Sequence, residues 1–218
     1  ELTAGGGCEP RRLEGVELGR DGLGVRVGGK GRHPVVRDGH HEHPTGAITR
    51  QGDGARYDAE AAPHDDLLQA RRGTAYFARK LNELSDAELL DPALRDGWTR
   101  AQLVAHISYH ARLFAHLLEA ARTGISKPIA ENRDTEIAFG ATLPPRALRS
   151  LFRHAEVHLN VEWRDLTDKG WSAPLRLPDG AAITARETPI LRAKEVWQGA
   201  IDLGNGAGIA DVPHAVLG

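Results

Sequence analysis

The sequence predicts an all-α fold: an antiparallel four-helix bundle behind a long segment of low complexity. Three observations carry that expectation. From Asp65 onward apolar residues recur at three- and four-residue intervals, the period of a helix with one buried face. Residues that start or stop helices punctuate those stretches at Thr99, Gly124, Pro144-Pro145 and Gly204. Residues 1–62 hold 14 of the 25 glycines and neither tryptophan nor phenylalanine, so they cannot bury enough apolar surface to offset chain entropy. The 218 residues thus divide into a disordered N-terminal segment 1–62, a bundle 63–206 and a C-terminal tail 207–218.

In the first segment, Val16, Leu18, Leu23, Val25 and Val27 suffice for one marginal hairpin. The run Gly39-His40-His41-Glu42-His43 is either a solvated tail or an adventitious metal binder without a scaffold. Asp65 or Asp66 can cap the first bundle helix, which carries Leu67, Leu68, Ala75, Phe77, Ala78 and Leu81 towards Leu84. Ser85-Asp86-Ala87-Glu88 then signals a short turn. Thr99 is a natural N-cap for the second helix, whose stripe is Leu103, Val104, Ile107, Leu113, Phe114, Leu117 and Leu118; it runs to about Arg122, with Gly124 as its stop. A polar connector containing Pro128 follows.

Pro144-Pro145 opens the third helix, through Leu148, Leu151, Phe152, Ala155, Leu159 and Trp163, because proline in a first turn forfeits no hydrogen bond. Residues 168–185 read as a loop, with short strands at Ala173–Leu177 and Ala181–Thr184 joined by Pro178-Asp179-Gly180. The fourth helix spans Thr188 to Leu203.

Composition removes several function classes. A net charge of -2 gives no electrostatic footprint for nucleic acid or anionic lipid, leaving small molecules or proteins as partners. Cys8 is the single cysteine, so no intrachain disulfide forms, and a reducing, cytoplasmic setting is expected. No apolar run reaches membrane-spanning length. Serine or cysteine nucleophile signatures, phosphate loops and dinucleotide fingerprints are all missing, so any thiol chemistry needs an external thiol.

Histidines on helices supply the candidate site. His106 shares the stripe of Leu103, Leu113 and Leu117, so its imidazole points inward, either as a core histidine bonded to a backbone carbonyl or as a metal ligand. Glu195 lies one turn after Leu191 and one turn before Gly199, where an unpaired carboxylate is costly. It either pairs with Arg192 or Arg112 or joins His106. His110 is one turn beyond His106, and an i, i+4 pair can chelate a divalent ion. His110, His116, His154 and His158 read equally as partly exposed helix residues, with His158, beside Leu151 and Ala155, facing the bundle centre.

Five motifs together resemble the mycothiol-dependent maleylpyruvate isomerase family of the DinB-like metalloenzymes. They are Gly97-Trp98-Thr99 leading into Leu103-Val104-Ala105-His106, Leu143-Pro144-Pro145, Arg186-Glu187-Thr188-Pro189, Arg192-Ala193-Lys194-Glu195-Val196-Trp197, and Ala200-Ile201-Asp202-Leu203. The resemblance implies a DinB-like bundle in which His106 and Glu195 bind a divalent metal, usually zinc, with a third ligand at position 199, here Gly199. It implies cis-trans isomerisation of maleylpyruvate or a related small acid, with mycothiol as co-substrate thiol. The candidate catalytic set is then His106, Glu195 and His110, with His110, or else His158, as a replacement ligand or proton-transfer group. A homodimer is compatible with it. Gly199 opens the alternative of a metal-depleted, non-catalytic small-molecule binder of the same fold.

Overall fold

The structure, a computed structural model, describes residues 59–127 and 132–218. The expectations for residues 1–58, among them the hairpin around Val16–Val27 and the Gly39–His43 run, lie outside the described residues, as does the connector at Pro128.

Four long helices form the bundle: α1 (His64–Glu83), α2 (Arg100–Thr123), α4 (Pro145–Asp165) and α6 (Thr188–Asp202). The first starts earlier than its aspartates suggest. Pro63 occupies the N-cap with no side-chain cap, while Asp65 and Asp66 sit in the first turn, where the helix dipole favours negative charge. Thr99 caps α2 as expected: its hydroxyl accepts from the Gln102 amide at 3.2 Å, and Gln102 accepts from the Thr99 amide at 2.8 Å. Gly124 ends α2 in the left-handed conformation at φ 75°.

The connector after α2 is not wholly irregular. It contains α3 (Arg133–Ala141), capped by Asn132, whose side-chain oxygen accepts from the Thr135 amide at 3.0 Å. This helix buries only Ile137 and Gly140, so it left no repeating apolar stripe to read. The loop after α4 likewise holds a single turn, α5 (Asp168–Trp171), which carries Trp171 into the core. Strands β1 (Pro174–Arg176) and β2 (Ala182–Thr184) pair antiparallel with Leu175 opposite Ile183, close to the expected hairpin. Beyond α6 the chain folds back onto the bundle through a 3-10 turn at Ile209–Asp211 and α7 (His214–Leu217), which buries Val216.

Side-chain contacts set the helix directions. Along α1 and α6 partners advance together, Gln69 with Trp197 and Lys80 with Asn205 just past the helix, so these two run parallel. Along α2 and α4, Glu119 meets His158 and Arg122 meets Glu162, again parallel. Between the pairs the sense reverses: Thr74 meets Glu156 and Leu81 meets Arg149, while Arg100 meets Leu203 and Ile107 meets Arg192. The result is an up-down-down-up bundle whose two halves oppose each other antiparallel. Phe77 and Phe152 meet at its centre with ring centroids 5.1 Å apart. Burying such a side chain contributes about 1.5–3 kcal/mol.

Close approach of α1 and α6 depends on Gly73, where a Cβ would lie 2.6 Å from Val196 Cγ2 and 2.8 Å from Trp197 Cδ1. Among the described residues no helix is long and apolar enough to cross a membrane.

Candidate functional site

The capped start of α2 fixes the inward stripe that carries His106, and the antiparallel α6 brings Glu195 to the same level. His106 Nε2 donates to Glu195 Oε1 at 2.5 Å. Both side chains are largely buried, 12% and 28% exposed. The Trp98 and His106 rings meet edge to face with centroids 5.2 Å apart, and the Arg95 guanidinium lies over the Trp98 ring, 4.4 Å from its centroid. Arg95 also approaches Glu195 to 3.9 Å. With Nε2 committed to the carboxylate, His106 Nδ1 is buried without a hydrogen-bond partner.

Burial pushes the Glu195 carboxyl up, but the His106 hydrogen bond and the electrostatic influence of His110, His106 and Arg192 outweigh it and bring it down to about 2. Glu195 is therefore an anion throughout the physiological range. The alternatives of a backbone carbonyl for His106 and of Arg192 or Arg112 for Glu195 are both replaced by this direct bond. Arg112 instead lies over the Tyr109 ring at 5.9 Å.

Arg192 is fully buried and organises the layer behind the pair. It donates to the Ile107 carbonyl at 2.9 Å, to His110 Nδ1 at 3.2 Å and to the buried Glu156 carboxylate of α4. The guanidinium has no acceptor site, so His110 Nδ1 must accept and its proton sits on Nε2. Burial, and then the Arg192 charge, hold His110 well below 6.5, so it stays neutral. His106 and His110 have ring centroids 6.4 Å apart, and His110 faces Phe114 and Arg192 instead of closing on Glu195.

Sequence reasoning missed Arg192 and Glu156 as a buried pair. The available signal was a charge on the inward face of each of two otherwise apolar helices. It also missed Arg133, at the first turn of the unexpected α3. Burial lowers the Arg133 pKa, the charges of Glu136 and Glu195 raise it, and those of Arg192 and Arg95 lower it. Its Nη2 is buried with no hydrogen-bond partner. A cavity of about 390 Å³ opens beside Glu195, walled by Trp197, Val212 and Val216.

Gly199 faces the packed interior. A Cβ there would lie 2.7 Å from Ile107 Cδ1, 3.1 Å from Ile107 Cγ1 and 3.3 Å from Phe77 Cε2. The two candidate histidines of α4 lie elsewhere. His154 is exposed. His158 does not face the bundle centre: it sits a third exposed at the α2–α4 seam, with Glu119, Glu162 and His116.

The up-down-down-up bundle has the DinB-like fold. Residues 70–204 match the family described as the mycothiol maleylpyruvate isomerase N-terminal domain, and the chain belongs to that family. Among solved structures it is similar to the mycothiol-dependent maleylpyruvate isomerase, at 37% identity and a TM-score of 0.68, over 74% of this chain and 68% of that one. A histidine-to-alanine mutant of that isomerase matches over the same shares at 36% identity and the same TM-score. No curated protein matches significantly. The chain is thus a mycothiol-dependent maleylpyruvate isomerase-like protein.

The three-ligand metal implied by the resemblance does not fit the residues present. Gly199 offers no donor atom, and Ile107 and Phe77 fill the space a ligand side chain there would enter. The His106 nitrogen and Glu195 oxygen are 2.5 Å apart, whereas two zinc bonds at a tetrahedral angle hold their donors about 3.3 Å apart. Arg95, 3.9 Å from Glu195, and Arg192, which lowers the Glu195 pKa, already set positive charge against the carboxylate that a cation would need.

Proposed function

We infer that this chain binds a small acid anion together with a low-molecular-weight thiol of the mycothiol class at the His106–Glu195 site, without a resident three-ligand metal. The observation that carries the reading is the filled space at Gly199. Arg133 Nη2 is buried and unpartnered, a donor with an unmet need for an acceptor, and a carboxylate of the ligand meets it. Arg95 is half-exposed over Trp98 and steers the anion inward. Glu195 holds His106 in one tautomer, and Arg192 does the same for His110, so the polar wall is rigid before ligand arrives.

The test is calorimetric titration of maleylpyruvate into metal-free protein containing chelator, with and without mycothiol. Binding that survives chelation and falls at least about tenfold in Arg133→Gln supports the reading. Stoichiometric zinc that is lost in His106→Ala, with ligand binding lost alongside it, overturns it.

A second reading, retained cis-trans isomerisation, is favoured by the convergence of His106 and Glu195. In that reaction the thiolate sulfur bonds to one alkene carbon and the π pair moves to the conjugated carbonyl oxygen. The new single bond rotates, and the pair returns as sulfur leaves. Thiol is regenerated, so nothing is oxidised or reduced. An arginine beside the carbonyl oxygen stabilises the charge that develops there. Mycothiol-dependent loss of maleylpyruvate absorbance in the presence of chelator decides between binding and turnover.

A further inference from the structure

About 15–20 Å along α2 from His106, counted at 1.5 Å per residue, a second set of metal-binding groups spans the seam between α2 and α4. Glu119 comes from α2, and His158 and Glu162, one turn apart, come from α4. One oxygen of each carboxylate and one imidazole nitrogen all lie within 4.8 Å of one another. His158 Nε2 is 3.7 Å from Glu119 Oε2 and 3.7 Å from Glu162 Oε1. These distances are too long for hydrogen bonds. They are close to the separation of about 3.3–3.6 Å that two donors keep when they share one ion through bonds of 2.0–2.2 Å. A histidine spaced evenly from two carboxylates, and bonded to neither, is arranged as a ligand set is arranged.

Further features bear on the site. Glu162 is buried, and Arg122 donates to its Oε2 at 3.0 Å and 3.1 Å and to Oε1 at 3.2 Å, which fixes the carboxylate while leaving lone-pair capacity on Oε1. This is the outer-partner role that orients metal-binding carboxylates. Lys127 bonds Glu119 Oε2 at 2.6 Å but is 46% exposed, so an arriving divalent ion can displace it into water. His116 stands beside the set with its ring centroid 5.7 Å from that of His158, a further nitrogen donor on the α2 side.

We propose that Glu119, His158 and Glu162 bind a divalent cation of the zinc class at the α2–α4 seam, in a site separate from His106 and Glu195. Mixed imidazole and carboxylate donors suit zinc over magnesium or calcium, which prefer all-oxygen sets. Bound there, the ion ties two parallel helices together and stabilises the folded chain by mass action.

Equilibrium dialysis of the full chain against zinc alone tests this, with the thermal midpoint as a second readout. Wild-type protein is expected to bind zinc and to melt at a higher temperature in its presence. His158→Ala and Glu119→Gln, both on partly exposed side chains, should bind about tenfold or more weakly and lose the zinc-dependent rise. His106→Ala should keep both. Zinc held outside both the seam and the His106–Glu195 pair persists in all three variants and adds equally to each. Affinity unchanged in His158→Ala and Glu119→Gln, no zinc bound by the wild type, or loss confined to His106→Ala overturns the proposal.

Discussion

Two places in this molecule bring a histidine of one long helix to carboxylates of another, and they differ in spacing and surroundings. At the His106–Glu195 site the donors are 2.5 Å apart and joined by a hydrogen bond, with the Arg95 guanidinium 3.9 Å from the carboxylate. At the α2–α4 seam His158 stands 3.7 Å from each of two carboxylates, Glu162 paired with Arg122 and Glu119 with the exposed Lys127. Donor identity is nearly the same in both. What separates them is what lies around the donors: Ile107 and Phe77 close the first site where a further ligand would enter, whereas the second supplies three donors from residues already in place. Spacing and neighbouring charge, not residue type, decide whether such a pair reads as an anion-facing wall or a cation site.

The largest effect that breaks the comparison should come from Arg192→Met. Arg192 is fully buried, and its loss strands the Glu156 carboxylate and two hydrogen-bond acceptors in the core. Removing one partner of a buried ion pair costs about 3–5 kcal/mol. Urea unfolding should show that loss for the single variant and substantial recovery in Arg192→Met/Glu156→Gln, where no charge is left unpaired. Equal loss in both variants would mean that packing, not charge, is what Arg192 contributes. Zinc binding at the seam should survive in either variant that folds.

Acid titration sharpens the electrostatic half of the contrast. Glu195 is held at about 2 against an ordinary 4.5. A carboxyl depressed in the folded state contributes stability that is fully present above its unfolded value and is lost as pH falls through the folded one. The thermal midpoint of wild type should therefore fall between pH 4.5 and 2. Glu195→Gln should begin less stable at neutral pH and lose the Glu195 part of that slope. Parallel curves for the two proteins would show that His106 does not stabilise the ionised carboxylate.

Much of this architecture was legible before any coordinates. The Thr99 cap, the Gly124 stop, the proline start of α4 and the Pro178-Asp179-Gly180 hairpin are local devices whose physics is written in adjacent residues. So was the inward face carrying His106. What could not be read was long-range: that Arg192 spends its hydrogen bonds on Ile107, His110 and Glu156, that His158 turns to the seam, and that Ile107 reaches across to Gly199. Each depends on which residues the up-down-down-up order sets side by side, and periodicity reports a face without naming its partner. Helix α3 escaped because nine residues burying one large side chain carry no stripe.

Gly199 links both halves of the contrast. In Gly199→Ala the new methyl must push the Ile107 δ-methyl aside from 2.7 Å, and overpacking of this kind costs about 1–3 kcal/mol. Ile107→Val should relieve it. Gly199→His/Ile107→Ala goes further, adding a donor and opening the space for it, and should confer a chelator-sensitive zinc site that His106→Ala abolishes. If that double variant folds and holds no additional zinc, the barrier to a metal is the positive charge beside Glu195 and not the missing ligand.

The smallest expected effect lies at the seam. Lys127→Ala removes an exposed pair to Glu119, and such pairs contribute about 0.2–1 kcal/mol, so urea unfolding without metal should hardly change. Zinc affinity should nevertheless rise, because the ion no longer competes with a resident ammonium for Glu119 Oε2 and the site gains one net negative charge. The gain should shrink with added salt, since an exposed charge is screened over about 8–10 Å at physiological ionic strength. A variant that binds zinc no better than wild type at low salt would show that Glu119 is not a ligand, and would leave His158 and Glu162 too few to hold the ion.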